Sequence, residues 1–238
     1  MKIKPMLFVF LLCMTQAALA QVVATVTHLA GLLNVERADG SKKVLALKSE
    51  VLQGDLLSTS ADTYARLKFK DESELVLRPN TRLRVDKVSY EAAKPEADAL
   101  SLSLLKGGLR AVSGLIGKRS KESVQYTTPT ATIGIRGTHF GLLYCEDNCA
   151  DIATVNGRVP PNGLHLDVAQ GAVEVTNPGG AQLINTGQFG FVRTGITRPV
   201  IVPPEQGVQV TMPTSISQNR PNDVAGLAKG SAGQCIAQ

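Results

Sequence analysis

Thr63-Tyr64-Ala65-Arg66-Leu67-Lys68-Phe69-Lys70 alternates apolar and polar side chains for eight residues. Period-two alternation is the pattern of a half-buried β-strand, with Ala65, Leu67 and Phe69 on the inner side. Asp71-Glu72-Ser73 turns the chain, and Leu75 and Leu77 repeat the inward positions, so the two segments read as a hairpin. Pro79-Asn80 is a second turn, and Leu83 and Val85 carry a third strand.

The same reading extends in both directions. Strands are predicted at 22–27, 32–37 and 44–47, then at 100–105, 109–112, 124–128 and 138–144. Further ones are expected at 152–155, 164–168, 172–176, 182–184 and 189–193. No 12-residue helical pattern occurs, and Pro95 breaks the helix-like composition of Glu91 to Asp98, which reads as a loop. Composition agrees with this. Val, Ile and Thr total 51 of 238 residues, Gly adds 22, and only 4% are aromatic, with no Trp. That balance favours strands and turns and leaves Leu, Val and Ile to fill the core. It also leaves no aromatic platform for sugars. A weak internal repeat is visible. Gly31, Leu33 and Val35 lead through Asp39-Gly40 to Leu45, Leu47 and Gly54. Gly171, Val173 and Val175 lead through Gly179-Gly180 to Leu183 and Gly187. The fold class is therefore all-β, either solenoid-like with stacked rungs or a rolled sheet.

Met1 to Ala20 reads as a secretory signal. Lys2 and Lys4 precede the apolar Met6–Met14, and Ala18-Leu19-Ala20 is a small-x-small cleavage site before Gln21. Leu12 is not the small residue that a lipoprotein signal needs before Cys13. No run of 18 apolar residues is present, so no membrane span is expected. The expected location is periplasmic or secreted, where nucleic acid is not an expected partner. Residues 22–202 read as one β domain. Five of the 12 Pro residues lie from Pro199 onward, so 203–238 reads as a flexible tail.

Removing the signal leaves Cys145, Cys149 and Cys235. An oxidising compartment favours a Cys145–Cys149 disulfide over a metal site with His139 and His165. Glu146, Asp147, Asn148 and Asp151 lack the spaced pattern of a calcium loop. Cys235 is left free or able to tether a partner. No catalytic elbow, phosphate loop, zinc helix or dinucleotide pattern appears, so neither an enzyme nor a cofactor is expected.

Five ordered landmarks carry a family resemblance. Val51 to Thr59 includes Gly54-Asp55, Ala65 to Ser73 ends in Asp71-Glu72-Ser73, and Leu75 to Thr81 is leucine-rich. Leu104 to Arg110 includes Gly107-Gly108. Thr128-Pro129-Thr130-Ala131-Thr132-Ile133-Gly134-Ile135-Arg136-Gly137-Thr138-His139-Phe140 is the most specific. It meets every named position of Thr-Pro-x-Ala-x-x-Gly-x-Arg-Gly-Thr-x-Phe, the signature of the FecR family of periplasmic domains, which the chain resembles over about residues 31 to 192. Glu72 departs from the family's turn Gly and suggests a looser turn. The insertion from Cys145 to Asn162 lies outside the signature. Archetypal members add a cytoplasmic segment and a span and control a sigma factor. Neither is read in this chain, so that control does not carry over. The resemblance implies a β-rich fold and a protein-binding or sensing role in the cell envelope.

Gly134 and Gly137 bracket Arg136 and imply a bent or bulged strand. Arg136 either ties one part of the sheet to another, through Asp55 or Asp71, or grips an anionic partner. Arg110 has the same two readings. Thr59, Thr128 and Thr138 suit turns and bent strand ends. Arg66, Lys68 and Lys70 point outward together, and Arg78, Arg82 and Arg84 extend that basic stripe. Such a face would meet lipopolysaccharide, peptidoglycan or an acidic protein, or it is a solvated face that discourages edge pairing. The leading expectation is a non-enzymatic module that binds an envelope protein. The alternatives are a structural adaptor and a glycan- or lipopolysaccharide-binding module.

Overall fold

The structure is a computed structural model that describes residues 21–152, 154, 156–213 and 215–216. The signal segment and Cys235 lie outside the described residues, as does the tail beyond 216. The strands are β1 (Val22–Ala30), β2 (Leu33–Glu36), β3 (Lys42–Leu45), β4 (Glu50–Leu52) and β5 (Leu56–Thr59). They continue as β6 (Tyr64–Phe69), β7 (Glu74–Leu77), β8 (Arg82–Ser89), β9 (Ala99–Val112) and β10 (Val124–Thr127). The last are β11 (Thr132–Cys145), β12 (Gly163–Asn177), β13 (Gly180–Asn185), β14 (Phe189–Val192) and β15 (Val200–Val202). Among the described residues one short α-helix, α1 (Leu115–Arg119), follows β9, and single 3-10 turns form at Pro95–Ala97, Lys121–Ser123 and Pro204–Gln206.

All fifteen strands join one open sheet that folds over on itself. The fold line runs through β9, β11 and β12, which are long enough to serve both halves. In the first half, β9 pairs with β8 and β10, and β11 lies between β10 and the end of β12, which carries β13. In the second half, β9 pairs with β7 and β11, and the start of β12 carries β14. Every pairing is antiparallel except β9 with β10.

Glycine makes the fold line possible. Gly137 has φ +62° in β11 and Gly171 has φ +79° in β12, a region that side-chain-bearing residues avoid. A Cβ on Gly171 would sit 2.4 Å from the Gly137 carbonyl oxygen. The ladder shifts register between Arg136 and His139 at this corner. The bent strand expected from the two glycines is therefore present.

The halves bury one face each against the other. Leu33, Leu57, Leu83, Leu102, Ile133 and Val173 of the first half join Leu67, Leu75, Leu109, Phe140, Leu142 and Leu166 of the second in one core. Each such side chain contributes about 1.5–3 kcal/mol on burial. Phe140 is the one aromatic among the twelve largest side chains that are less than 2% exposed, so aliphatics fill this core as composition implied.

The expectations hold with specific departures. The segments at 100–105 and 109–112 are one continuous strand, β9, because Gly107 bends it without ending it. No strand forms at Ile152 or Thr154, which lie in the disulfide-bearing loop. The two repeat copies are hairpins, β2–β3 and β12–β13, at opposite edges of the first half. They do not stack as rungs, so the sheet is rolled and not a solenoid. Helix α1 has five residues, too short to show a helical period. Glu72 does not loosen its turn. It adopts φ +66°, the conformation expected of the family's Gly, and Asp71 Oδ1 accepts the Ser73 N–H at 3.1 Å. Past residue 202, packed positions recur among the described residues up to Ile216. Val208 and Val210 are buried, which places the boundary of the packed domain beyond the one read at 202.

Candidate functional site

The segment from Thr128 to Phe140 builds the corner and the surface beside it. The Thr128 hydroxyl accepts the Ala131 and Thr130 N–H groups at 3.1 and 3.3 Å, and closes the turn from β10 to β11 with Pro129 at its exposed tip. Ala131 is buried beneath that turn. Past the bend, the Thr138 hydroxyl accepts the Arg136 N–H at 3.1 Å and donates to the Ala172 carbonyl at 2.8 Å. The Thr138 N–H reaches Ser113 Oγ at 2.9 Å. These bonds satisfy backbone groups that the register shift leaves out of the ladder. Phe140 then enters the core and meets Tyr126 edge-to-face, with centroids 5.1 Å apart.

Arg136 is the exception in this segment. Its side chain is exposed and has no ion pair or hydrogen bond among the described residues. The structural reading of Arg136 is overturned. Asp55 is held by Arg37 at 3.0 Å and by the Leu52 N–H at 2.8 Å, while Asp71 braces its own turn. Burial of Asp55 raises its carboxyl above the ordinary range, against the pull of Leu52 and Arg37.

Arg136 borders an open groove of about 450 Å³ on the outer side of the first half. Gln125, Gly134 and Glu174 sit side by side across β10, β11 and β12 on its floor. Gly134 leaves the middle bare, since a side chain there would meet nothing within 4 Å. Lys121 lines the groove beside Arg136. The arrangement offers the cations Lys121 and Arg136, the carboxylates Glu122 and Glu174 and the Gln125 amide around a shallow floor. It suits a polar partner surface, and among the described residues no hydrogen bond joins a nucleophile to a base there.

The basic stripe does not survive as one face. Arg66, Arg78 and Arg110 lie on the outer side of the second half, beneath residues 210–216. Lys68 pairs with Glu72 at the exposed turn, and Lys70 is exposed beside it. Arg82 and Arg84 are exposed on the outer side of the first half, across the molecule. Strand alternation placed all these side chains outward correctly. It could not show that a later segment covers one of the two outer sides.

Arg110 has a structural role. Its Nη1 donates to Asp167 Oδ1 at 3.0 Å and to the Val210 carbonyl at 2.8 Å, and its Nε donates to His139 Nε2 at 2.8 Å. Asp167 Oδ2 in turn accepts the Val210 N–H at 3.0 Å. Arg110 and Asp167 lie in one cross-strand row with Gly141 between them. A Cβ on Gly141 would strike Asp167 Oδ2 at 2.4 Å and the Val210 side chain at 2.5 Å, so only Gly fits there. Sequence reading places Asp167 two residues from His165 on one strand but does not pair it with Arg110, because the two are separated by 57 residues.

Cys145 and Cys149 form a disulfide, with Cα atoms 5.6 Å apart. Their sulfurs are thereby withdrawn from the metal site considered above. His165, cross-strand from Leu143, is stacked on Phe191 at 4.7 Å between ring centroids. Its Nε2 is 2.8 Å from the Pro161 carbonyl, so that nitrogen carries the proton, and Nδ1 is buried without a partner. Burial holds this imidazole below its ordinary range. The unfolded chain therefore binds the proton more readily. His165 contributes stability above about pH 6.5, which is lost as pH falls. The urea midpoint should drop as pH falls below about 6.5. His165→Gln should flatten that part of the profile, and an unchanged profile would contradict the assignment.

Comparison with known proteins follows the same landmarks. Residues 55–160 match the family described as FecR protein. Two crystal structures of a "putative anti-sigma factor" from Parabacteroides distasonis are similar, at 13% and 12% identity with TM-scores of 0.46 and 0.45. Each similarity covers 65% of this chain and 61% of the other, so the chain spans less than two thirds of those proteins. A "Cell surface anchoring domain" is similar over 26% of this chain and 82% of its own length, at 21% identity and a TM-score of 0.26. No curated protein sequence matches. The match at residues 55–160 contains the whole Thr128–Phe140 signature, so this part of the chain is similar to the FecR family.

Proposed function

We propose that this chain is a non-enzymatic binding or sensing module that works in the periplasm by contacting another envelope protein. The observation that carries the reading is Arg136. Thr128, Gly137, Thr138 and Phe140 of the signature shape the turn, the corner or the core, and Arg136, without a side-chain partner among the described residues, presents a charged fork at the groove edge. A planar guanidinium without an internal partner suits bidentate capture of a carboxylate on a partner surface. Similarity to the FecR family supports a signalling-related role, and the disulfide suits an oxidising compartment. Among the described residues no helix is long and apolar enough to cross a membrane.

A photo-cross-linking residue at Gln125 tests the reading in cells. A discrete protein adduct is expected, reduced at least fivefold by Arg136→Glu and unaffected by Lys70→Glu. Arg136→Glu should not perturb the fold, because its side chain holds nothing in place. No adduct, or one indifferent to Arg136, would remove the groove as the contact surface.

A further inference from the structure

Residues 207–213 and 215–216 cross the outer side of the second half without joining its ladder. Among the described residues, their backbone-to-backbone hydrogen bonds are local, such as Thr211 to Gln209 and Ile216 to Pro213. The sheet holds them through side chains that reach main-chain groups. Arg110 donates to the Val210 carbonyl at 2.8 Å, Arg78 to the Thr211 carbonyl at 2.7 Å, and Arg66 to the Ile216 carbonyl. Asp167 accepts the Val210 N–H at 3.0 Å. Val208, Val210 and Met212 face the sheet at alternate positions, against Leu143 and the Cys145–Cys149 disulfide, while Gln209 and Thr211 face solvent.

This is how a protein grips an extended peptide. Main-chain bonds supply affinity, and alternate side-chain seats supply selectivity. The gripping groups belong to the sheet and its turns, and the Gly141 seat and the Arg110–Asp167 pair are both buried in the sheet's outer row. We propose that the outer side of the second half is a peptide-binding groove. Residues 207–216 are its resident ligand, and an extended segment of another protein with aliphatic residues at alternate positions can replace them. Linkage in one chain gives the resident segment a high effective concentration, so an incoming segment must compete with it or arrive when it is released. This surface lies on the opposite outer side from the Arg136 groove and does not depend on it.

The test keeps the full chain and places a specific protease site over the exposed turn Pro204–Gln206. After cleavage, a fluorescent peptide of residues 207–216 is titrated against the nicked protein. Saturable exchange is expected. Val210→Asp in the peptide should weaken binding at least tenfold, and Arg78→Ala in the groove at least threefold. Gln209→Ala with Thr211→Ala in the peptide should leave binding unchanged, because those positions face solvent. Unfolding of the nicked chain, absence of exchange, or equal binding by the Val210→Asp peptide would overturn the proposal.

Discussion

Asp167→Ala should lower the free energy of unfolding by about 3–5 kcal/mol, the usual cost of stranding one member of a buried ion pair. Arg110 is 7% exposed and Asp167 is 4% exposed, so water cannot take the place of the lost carboxylate. The Val210 N–H also loses its acceptor. Burial raises the Asp167 carboxyl above its ordinary range, while Arg110 and the Val210 N–H pull it back. The site is therefore stable only with both charges present or both gone. The double replacement Arg110→Met with Asp167→Leu should recover most of the loss, since apolar replacement of an entire buried pair is often neutral. Urea titration of the three proteins measures this. A loss below about 1 kcal/mol in the single variant, or no recovery in the double, would show that the pair does not stabilise the domain as described.

Phe140→Ala should cost a similar amount, about 3–5 kcal/mol, through lost burial and the cavity left behind. Phe140 is fully buried and joins the halves by its edge-to-face contact with Tyr126. Tyr126 would lose that contact, worth about 0.5–1.5 kcal/mol of the total. Phe140→Leu keeps much of the volume and should cost markedly less. Thermal unfolding separates the two variants, and equal melting points would count against a packing role for the ring.

Much of this was legible in the sequence because it is local. The alternation in 63–70 gave a strand of the right phase, with Leu67 buried and Lys68 exposed. Gly134-Ile135-Arg136-Gly137 announced a bend, since left-handed backbone leaves a visible residue signature. The disulfide followed from spacing and compartment. What was not legible depends on distant partners. Val208-Gln209-Val210 sits among Pro, Gln and Gly and has the composition of a loop. Val208 and Val210 are buried against Leu143 and the disulfide, and Arg110, 100 residues earlier in the chain, holds the Val210 carbonyl. Arg66 and Arg78 looked like a solvent-facing stripe for the same reason, as parity gives the direction of a side chain but not its cover. Residue type leaves Arg136 open to an internal tie with Asp55 or Asp71 or to an anionic partner, and only the folded sheet shows both carboxylates engaged elsewhere.

Strands that turn the corner without a break have a consequence for cooperativity. Because β9, β11 and β12 run through both halves, neither half is a separable unit, and loss of order in one withdraws pairing partners from the other. Unfolding should be all-or-none across residues 22–192. The span matched by the family is shorter than this cooperative block. Residues 55–160 omit β12, which pairs along most of β11, and β1, which flanks β6. A fragment cut to those limits would expose the edges of both strands and invite the edge-to-edge association that the intact sheet prevents.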